Sequence, residues 1–310
     1  MDKNSKIYIA GHKGLVGSAF LRYLQAKGYA NLITATHKQL DLRDFNRTKK
    51  FFERNKPAYV ILAAAKVGGI NANQSYPADF LYDNLAIQNN IFRSALDTSV
   101  KKLMFLGSSC IYPAKCPQPM KEEYLLTGPL EPTNEGYALA KIAGLKLAAY
   151  FYRQHNFKSI CLMPCNLYGP NDSFDLQNSH VLSALVKKFV DADQENKKEV
   201  VLCGSGIARR EFMHADDLAH IGTALMDKIK TPDIINIGTG TDISIKQLAT
   251  LVARKAGYKG SVIWDTSMPD GMLKKRMDVS KMPALGFKPK IPLEKGIDGM
   301  ISEYRKLTNA

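Results

Sequence analysis

Short apolar runs alternate along the first half of the chain with longer stretches in which apolar residues recur every three or four positions. The short runs, at 7–10, 32–36, 60–64, 103–106 and 159–163, predict strands. The longer stretches, at 15–27, 44–54, 78–97 and 136–154, predict helices. Such alternation predicts a doubly wound parallel sheet. The rhythm breaks at Pro164: Gly169, Pro170 and polar residues up to Ser179 predict an irregular stretch. A helix over 181–190, a polar loop over 191–199 and a short strand over 200–202 are expected next. Farther on, Ser244 is placed to cap a helix over 245–256. The expected fold class is α/β, with a parallel-sheet domain over 1–166 plus about 211–240. A smaller, interleaved C-terminal α/β lobe is expected over about 167–210 plus 241–310.

The first strand runs into Gly11-His12-Lys13-Gly14-Leu15-Val16-Gly17, which opens the first helix. The first glycine permits a tight turn, the next lets backbone approach a pyrophosphate, and the last lets helix and sheet pack closely. Between a strand and a helix, this spacing predicts a dinucleotide site. A carboxylate after the second strand would select a ribose 2′-hydroxyl. That place holds Thr36-His37-Lys38, and Lys13 lies in the glycine-rich turn, so NADP(H) is expected. Exposed lysines are common, and a solvated Lys38 is the plainer reading of that one residue. Asp41 and Leu42 are candidates for the adenine, and Ala63, Ala64 and Lys66 for the small-residue end of the third strand.

The fourth strand ends in Leu106-Gly107-Ser108-Ser109-Cys110, and Tyr137 and Lys141 stand four apart on a predicted helix. Residues four apart share a helix face. A tyrosine with a pKa of about 10 is a poor acid–base catalyst until a neighbouring ammonium lowers it. Ser108 would hold a substrate oxygen, so Ser108, Tyr137 and Lys141 suffice for reduction of a ketone. Cys110 beside them suggests a second task, moving protons on carbon. Its plainer reading is a small buried core residue.

Composition narrows the setting. The chain has 310 residues, 45% of them hydrophobic, and a net charge of +14. The basic residues are dispersed, with Lys274-Lys275-Arg276 the densest cluster, which argues against nucleic acid and for anionic small ligands. Residues 1–6 lack the apolar core of a signal peptide, and the run 59–65 is too short to cross a bilayer. Five cysteines, with no Cys-x-x-Cys pair, fit a reducing cytoplasm without disulfides. No membrane partner and no metal are expected.

The constellation resembles the extended short-chain dehydrogenase/reductase superfamily, with a Rossmann-like fold, along essentially the whole chain. Members of that superfamily that dehydrate sugars usually carry an acidic pair where this chain has Ser109-Cys110. Longer segments are more specific: Ala63-Ala64-Ala65-Lys66-Val67-Gly68-Gly69-Ile70, Gly107-Ser108-Ser109-Cys110-Ile111-Tyr112-Pro113, Glu131-Pro132-Thr133-Asn134-Glu135, Asn166-Leu167-Tyr168-Gly169-Pro170 and Asn178-Ser179-His180-Val181. These resemble the GDP-L-fucose synthase family, whose members epimerise C3 and C5 of a GDP-4-keto-6-deoxyhexose and reduce C4 with NADPH.

The resemblance implies that Ser108, Tyr137 and Lys141 form the reductive triad, and that Cys110 and His180 are the epimerisation base and acid. For His180 the plainer reading is a helix-start residue after an N-cap Ser179. The implied cofactor contacts extend to Leu106, Gly107, Tyr137, Lys141, Pro164, Asn166, Leu167 and His180. The implied substrate contacts are Ser108, Ser109, Cys110, Asn166, Lys188, Cys203, Arg210 and Asp270. Cys203, in Val200-Val201-Leu202-Cys203-Gly204, stands where the family commonly has Trp, and Lys13 and His37 stand where it often has arginines. The resemblance also implies a homodimer formed through the helices at 78–97 and 136–154. Two other outcomes remain open at this stage: a related GDP-4-keto-sugar reductase acting on a heptose or dideoxyhexose with partial or no epimerisation, and a non-catalytic NADP-sensing protein.

Overall fold

The computed structural model describes residues 1–176, 179–268 and 270–308. The chain begins with β1 (Ile7–Ala10), α1 (Leu15–Ala26), β2 (Leu32–Ile33), α2 (Phe45–Asn55), β3 (Tyr59–Leu62), α3 (Ile70–Ser75), α4 (Pro77–Asp97) and β4 (Lys102–Leu106). It continues through α5 (Glu135–His155), β5 (Ser159–Pro164), β6 (Asn166–Tyr168), α6 (Val181–Gln194), β7 (Glu199–Cys203), β8 (Arg209–Arg210), β9 (Phe212–His214), α7 (Ala215–Lys228) and β10 (Ile234–Ile237). It ends with β11 (Ile243–Ser244), α8 (Ile245–Ala256), β12 (Ser261–Asp265), β13 (Lys274–Lys275), α9 (Lys281–Ala284) and α10 (Leu293–Thr308).

Six strands form one sheet in the order β10-β5-β4-β3-β1-β2, and every neighbouring pair is parallel. The chain goes from β1 to β2 on one side and then crosses to β3 on the other. The winding therefore reverses between β1 and β3, where doubly wound sheets open a ligand crevice beyond the strand ends. Successive strand residues point to opposite faces. On β4, Met104 meets Gly222 of α7 and Phe105 meets Gly144 of α5. Helices thus cover both faces, which is why the strands read as unbroken apolar runs. This is the Rossmann-like sheet expected from the sequence.

A second apolar cluster gathers Leu185 and Phe189 of α6, Leu248 and Val252 of α8, and Ile297 and Met300 of α10. Smaller sheets frame it: β12 with β7, β6 with β9, and β11-β8-β13. Met277 and Met282, late in the chain, pack instead with the first cluster, so the two regions interleave. The predicted cap of α8 is a full capping box between Ser244 and Gln247, and Gly257 closes that helix in the left-handed region at φ 84°.

Several boundaries differ from expectation. β2 stops at Ile33 because Thr36 turns back, its backbone N–H donating to Gln39 Oε1 at 2.9 Å. α6 runs to Gln194, into the expected polar loop, and Asp191 there accepts bonds from Lys187 Nζ at 2.8 Å and the Tyr304 hydroxyl at 2.7 Å. Residues 166–168, expected to be irregular, pair as β6 with β9. The short helix α3 was not expected; it starts at Gly69 without a side-chain cap. Among the described residues, no helix is long and apolar enough to cross a membrane.

Candidate active site

A cavity of about 730 Å³ lies along the carboxyl ends of β1, β3, β4 and β5. Its first wall is the glycine-rich turn. Gly11 takes φ +84°, and Gly14 donates its backbone N–H to the Gly11 carbonyl at 3.0 Å. A Cβ at Gly17 would lie 2.1 Å from the Gly11 oxygen, so that position must be glycine for α1 to sit against the turn. Gly14 caps α1 without any side-chain hydrogen bond. The first helical N–H groups and their positive potential are therefore open to an anion. This cradle fits the pyrophosphate of a dinucleotide.

Gly11, Gly14, Leu15, Val16, Gly17, His37, Asp41, Leu42, Ala63, Ala64 and Lys66 all line the cavity. His12, Lys13 and Lys38 do not. Lys13 and Lys38 are exposed, and His12 is partly covered beside the Ala35 backbone, where burial lowers its pKa. A second cation lining this end with Lys66 is Arg43, which sequence reasoning missed. It forms ion pairs with Asp41 at 2.8 Å and Asp83 at 3.3 Å. The Arg43 side-chain bonds hold the Asp41 carboxyl down at about 2. The Lys66 ammonium is likewise committed, to Asp79 at 2.9 Å and Asp83 at 3.1 Å. Arginine in a short polar stretch after the second strand gave no pattern by which to single it out.

At the other end, Leu106, Gly107, Ser108, Ser109, Tyr137, Lys141, Pro164, Asn166, Leu167 and His180 line the same space. β4 ends at Leu106, and the chain turns through a single 3₁₀ turn, Ser109–Ile111, whose first N–H groups include that of Cys110, donated to Ser108 Oγ at 3.4 Å. Tyr137 and Lys141 project together from α5, with Lys141 Nζ 5.5 Å from the Tyr137 ring centre. The ammonium donates to the Leu106 carbonyl at 2.8 Å, which ties α5 to the end of β4. Asn166 is fixed by donating to the Glu211 carbonyl at 2.8 Å.

Electrostatics corrects one expectation. Burial pushes the Tyr137 phenol up, and the neighbouring Cys110 adds to this, so burial outweighs the lowering expected from Lys141. The physical reason is that Lys141 is buried and Tyr137 partly buried, and the ammonium donates to the Leu106 carbonyl. Burial brings Lys141 itself down to about 8. A protonated phenol beside a cation suits a proton donor to a ketone oxygen becoming an alcohol.

Cys110 is 5% exposed and does not line the cavity. Burial raises its thiol; Lys275, the Ser108 hydroxyl and Lys141 oppose that. His180 is itself the N-cap of α6, in place of the expected Ser179, and its side chain makes no capping bond. It is exposed and faces the cavity. Asn178, in the same motif, lies outside the described residues. Asp172 was missed by sequence reasoning; it lines the cavity, accepts a hydrogen bond from Ser183 Oγ and is close enough to His180 for that charge to act on it.

The remaining candidates are not gathered into this cavity. Lys188 donates to the Val201 carbonyl at 3.0 Å. Arg210 donates to the Arg209 carbonyl at 2.9 Å and the Met272 carbonyl at 2.5 Å. Asp270 accepts from the Ser205 N–H and hydroxyl, each at 2.7 Å. Cys203 is exposed at the end of β7. The Lys188, Arg210 and Asp270 side chains thus bond within their own surroundings.

Comparisons with known proteins agree with this geometry. Residues 7–238 match the NAD dependent epimerase/dehydratase family. GDP-L-fucose synthase 1 of Arabidopsis thaliana is 50% identical over 98% of this chain and 94% of that one. A solved GDP-6-OMe-4-keto-L-xylo-heptose reductase from C. jejuni is similar with TM-score 0.93 and 39% identity, over 100% of this chain and 99% of that one. A GDP-L-fucose synthetase from Naegleria fowleri bound to NADP is similar with TM-score 0.89 and 28% identity, over 100% and 97%. Matched along nearly its whole length by such relatives, the chain belongs to the NAD dependent epimerase/dehydratase family, in its GDP-L-fucose synthase group.

Proposed function

We propose that this chain is an NADPH-dependent 3,5-epimerase and 4-reductase that converts GDP-4-keto-6-deoxy-D-mannose to GDP-L-fucose. The observation that carries this reading is the grouping of a buried thiol, Cys110, with Ser108, Tyr137 and Lys141 at the end of β4. The names of the relatives support the substrate, and the NADP-bound relative supports the cofactor. NADPH, when bound, supplies the hydride for C4.

The chain's own groups do the rest. Ser108 and Tyr137 hold the C4 ketone oxygen by hydrogen bonds, which acidifies the protons on C3 and C5. The Cys110 thiolate takes a carbon proton, and the C–H electron pair moves to leave negative charge on the ketone oxygen. The His180 imidazolium returns a proton to the opposite face and becomes neutral. The net transfer is one proton from His180 to Cys110 by way of the sugar, and solvent exchange resets the pair. After both inversions Tyr137 gives its proton to the C4 oxygen, while the Lys141 ammonium stabilises the resulting phenolate. Lys188, Cys203, Arg210 and Asp270 form the GDP-sugar side of this reading.

The two apolar clusters support a division into an NADP-binding domain, 1–166 plus about 211–240, and a nucleotide-sugar lobe, about 167–210 plus 241–310, except around Met277 and Met282, which pack with the first cluster. Exposed Tyr82, Leu139 and Tyr150 on the packed pair α4 and α5 support a homodimer through those helices. Five free cysteines support a cytoplasmic setting.

The test is product analysis in deuterated water with NADPH and the keto-sugar. Deuterium at both C3 and C5, with NADPH oxidised, is the expected result. The heptose reductase likeness favours a second reading, reduction of a related keto-sugar, and reduced product without deuterium at either carbon selects it. No NADPH oxidation with either sugar overturns both.

A further inference from the structure

In a doubly wound sheet the adenosine half of a dinucleotide lies beside the end of the second strand. That end of the cavity is lined by His37, Asp41, Leu42, Arg43, Asp83 and Ile87. The segment that carries Arg43 is fixed to α4 at two levels. Asn90 Nδ2 donates to the Leu42 and Arg43 carbonyls, each at 2.9 Å. About two turns earlier on the same helix, Asp83 accepts from Arg43 Nη1 at 3.3 Å. Residues 83, 87 and 90 share one helix face, so Ile87 meets the cavity between these two attachments.

The guanidinium is held by its edges. Nε donates to Asp41 Oδ1 at 3.0 Å and Nη2 to Asp41 Oδ2 at 2.8 Å, the two-bond pairing that suits a planar fork and a carboxylate. With Asp83 on Nη1, all three nitrogens donate to carboxylates. The Arg43 backbone N–H adds a bond to Asp41 Oδ1 at 3.0 Å. These anchors lie in the plane of the group, whose N–H donors all point along its edges, so its flat faces carry no hydrogen bond. The side chain is still 42% exposed. We propose that Arg43 is a binding residue for the adenine of NADP(H): Asp41 and Asp83 hold its guanidinium plane so that one face stacks on the ring. This deepens the reading of the cavity as an NADP(H) site and rests on it.

Charge and shape both favour the ring over a phosphate. Asp83 also pairs with Lys66, and Lys66 with Asp79. The connected group therefore sets two cations against three carboxylates, and its net negative charge opposes a phosphate dianion. An uncharged aromatic ring meets no such cost, and a guanidinium stacks on it through both its charge and its flat shape. Leu42, Leu62, Ala63 and Ile87 line the same end and offer apolar contact to a flat ring. Ion pairs at half-exposed positions contribute little to stability by themselves, so three of them converging on Arg43 fit a side chain held for a ligand.

The experiment measures Kd for NADPH and for NADH by fluorescence of the reduced nicotinamide, on the unsubstituted protein and on Arg43→Leu, Arg43→Lys and Arg43→Phe. The first substitution removes charge and plane, the second keeps the charge, and the third keeps a plane that cannot pair with carboxylates. The expected result is that Arg43→Leu and Arg43→Lys weaken both cofactors by the same factor, about three- to thirtyfold. Arg43→Phe should recover most of that loss. Thermal unfolding reports folding, and Arg43→Met replaces Arg43→Leu if that variant is unfolded at the assay temperature. Weakened NADPH with unmoved NADH means that Arg43 reads the 2′-phosphate, and overturns the proposal. Arg43→Phe as weak as Arg43→Leu means that Arg43 only holds its own segment to α4, and overturns it too. So does an unmoved Kd in Arg43→Lys, which would make the charge sufficient. Failure of the unsubstituted protein to bind NADPH overturns the reading of the cavity itself, whereas equal Kd values across all variants overturn the role of Arg43 alone.

Discussion

The cavity beside the parallel sheet and the surface that carries Lys188, Cys203, Arg210 and Asp270 are built in opposite ways. On the sheet side, backbone hydrogen bonds fix the strand ends, and Ser108, Tyr137 and Lys141 converge on one space before any ligand arrives. On the other side, Lys188, Arg210 and Asp270 are already bonded to their own lobe. On the proposed reading, the first region binds with geometry set in advance, and the second exchanges internal bonds for ligand bonds. Substitutions on the sheet side should therefore act on kcat, and those on the lobe side on KM.

The largest effect should come from Tyr137→Phe, which keeps the ring against Phe80 and removes the proton donor. The expected loss in kcat for reduction is about 10²- to 10⁴-fold, with little change in KM. A loss carried mainly by KM would erase the contrast between the two regions. The next effect is one of pH. With Lys141 at about 8, its charge is present below that pH and lost above it. The rate of reduction should fall about tenfold for each pH unit above that value, since the phenolate loses its cation. Lys141→Arg stays charged and should show no such limb in a pH–rate profile. The smallest effect tests the lobe side. If Cys203 lies on the GDP-sugar side as proposed, Cys203→Trp offers that ligand an aromatic face and should lower KM about three- to tenfold, with kcat unchanged. A change in kcat instead would tie Cys203 to the chemistry.

The same contrast explains what the sequence could and could not reveal. The glycine-rich turn, the strand-end Ser108 and the four-residue spacing of Tyr137 and Lys141 are local patterns, each written within a single turn or helix face. Local patterns survive without knowledge of the tertiary fold. Arg43 is held in the cavity by Asp83 of α4 and Asp172 by Ser183 of α6, and neither carries a local signature. Lys275 belongs to a charge run in the sequence, but its place beside Arg210 depends on the pairing of β13 with β8. The raised phenol of Tyr137 shows the same limit, because burial outweighs the helix-face neighbour that spacing alone suggests. Helix ends followed their caps where these were chemical, as at Ser244, and departed where a distant side chain such as Tyr304 extended α6.

The central claim is that one site performs two separable tasks, with Cys110 serving proton transfer on carbon and Tyr137 serving reduction. The most direct measurement follows solvent deuterium entering C3 and C5 and NADPH oxidation in parallel for Cys110→Ser. Loss of deuterium at both carbons, with the keto group still reduced, is the predicted result. Deuterium persisting at both carbons would contradict it.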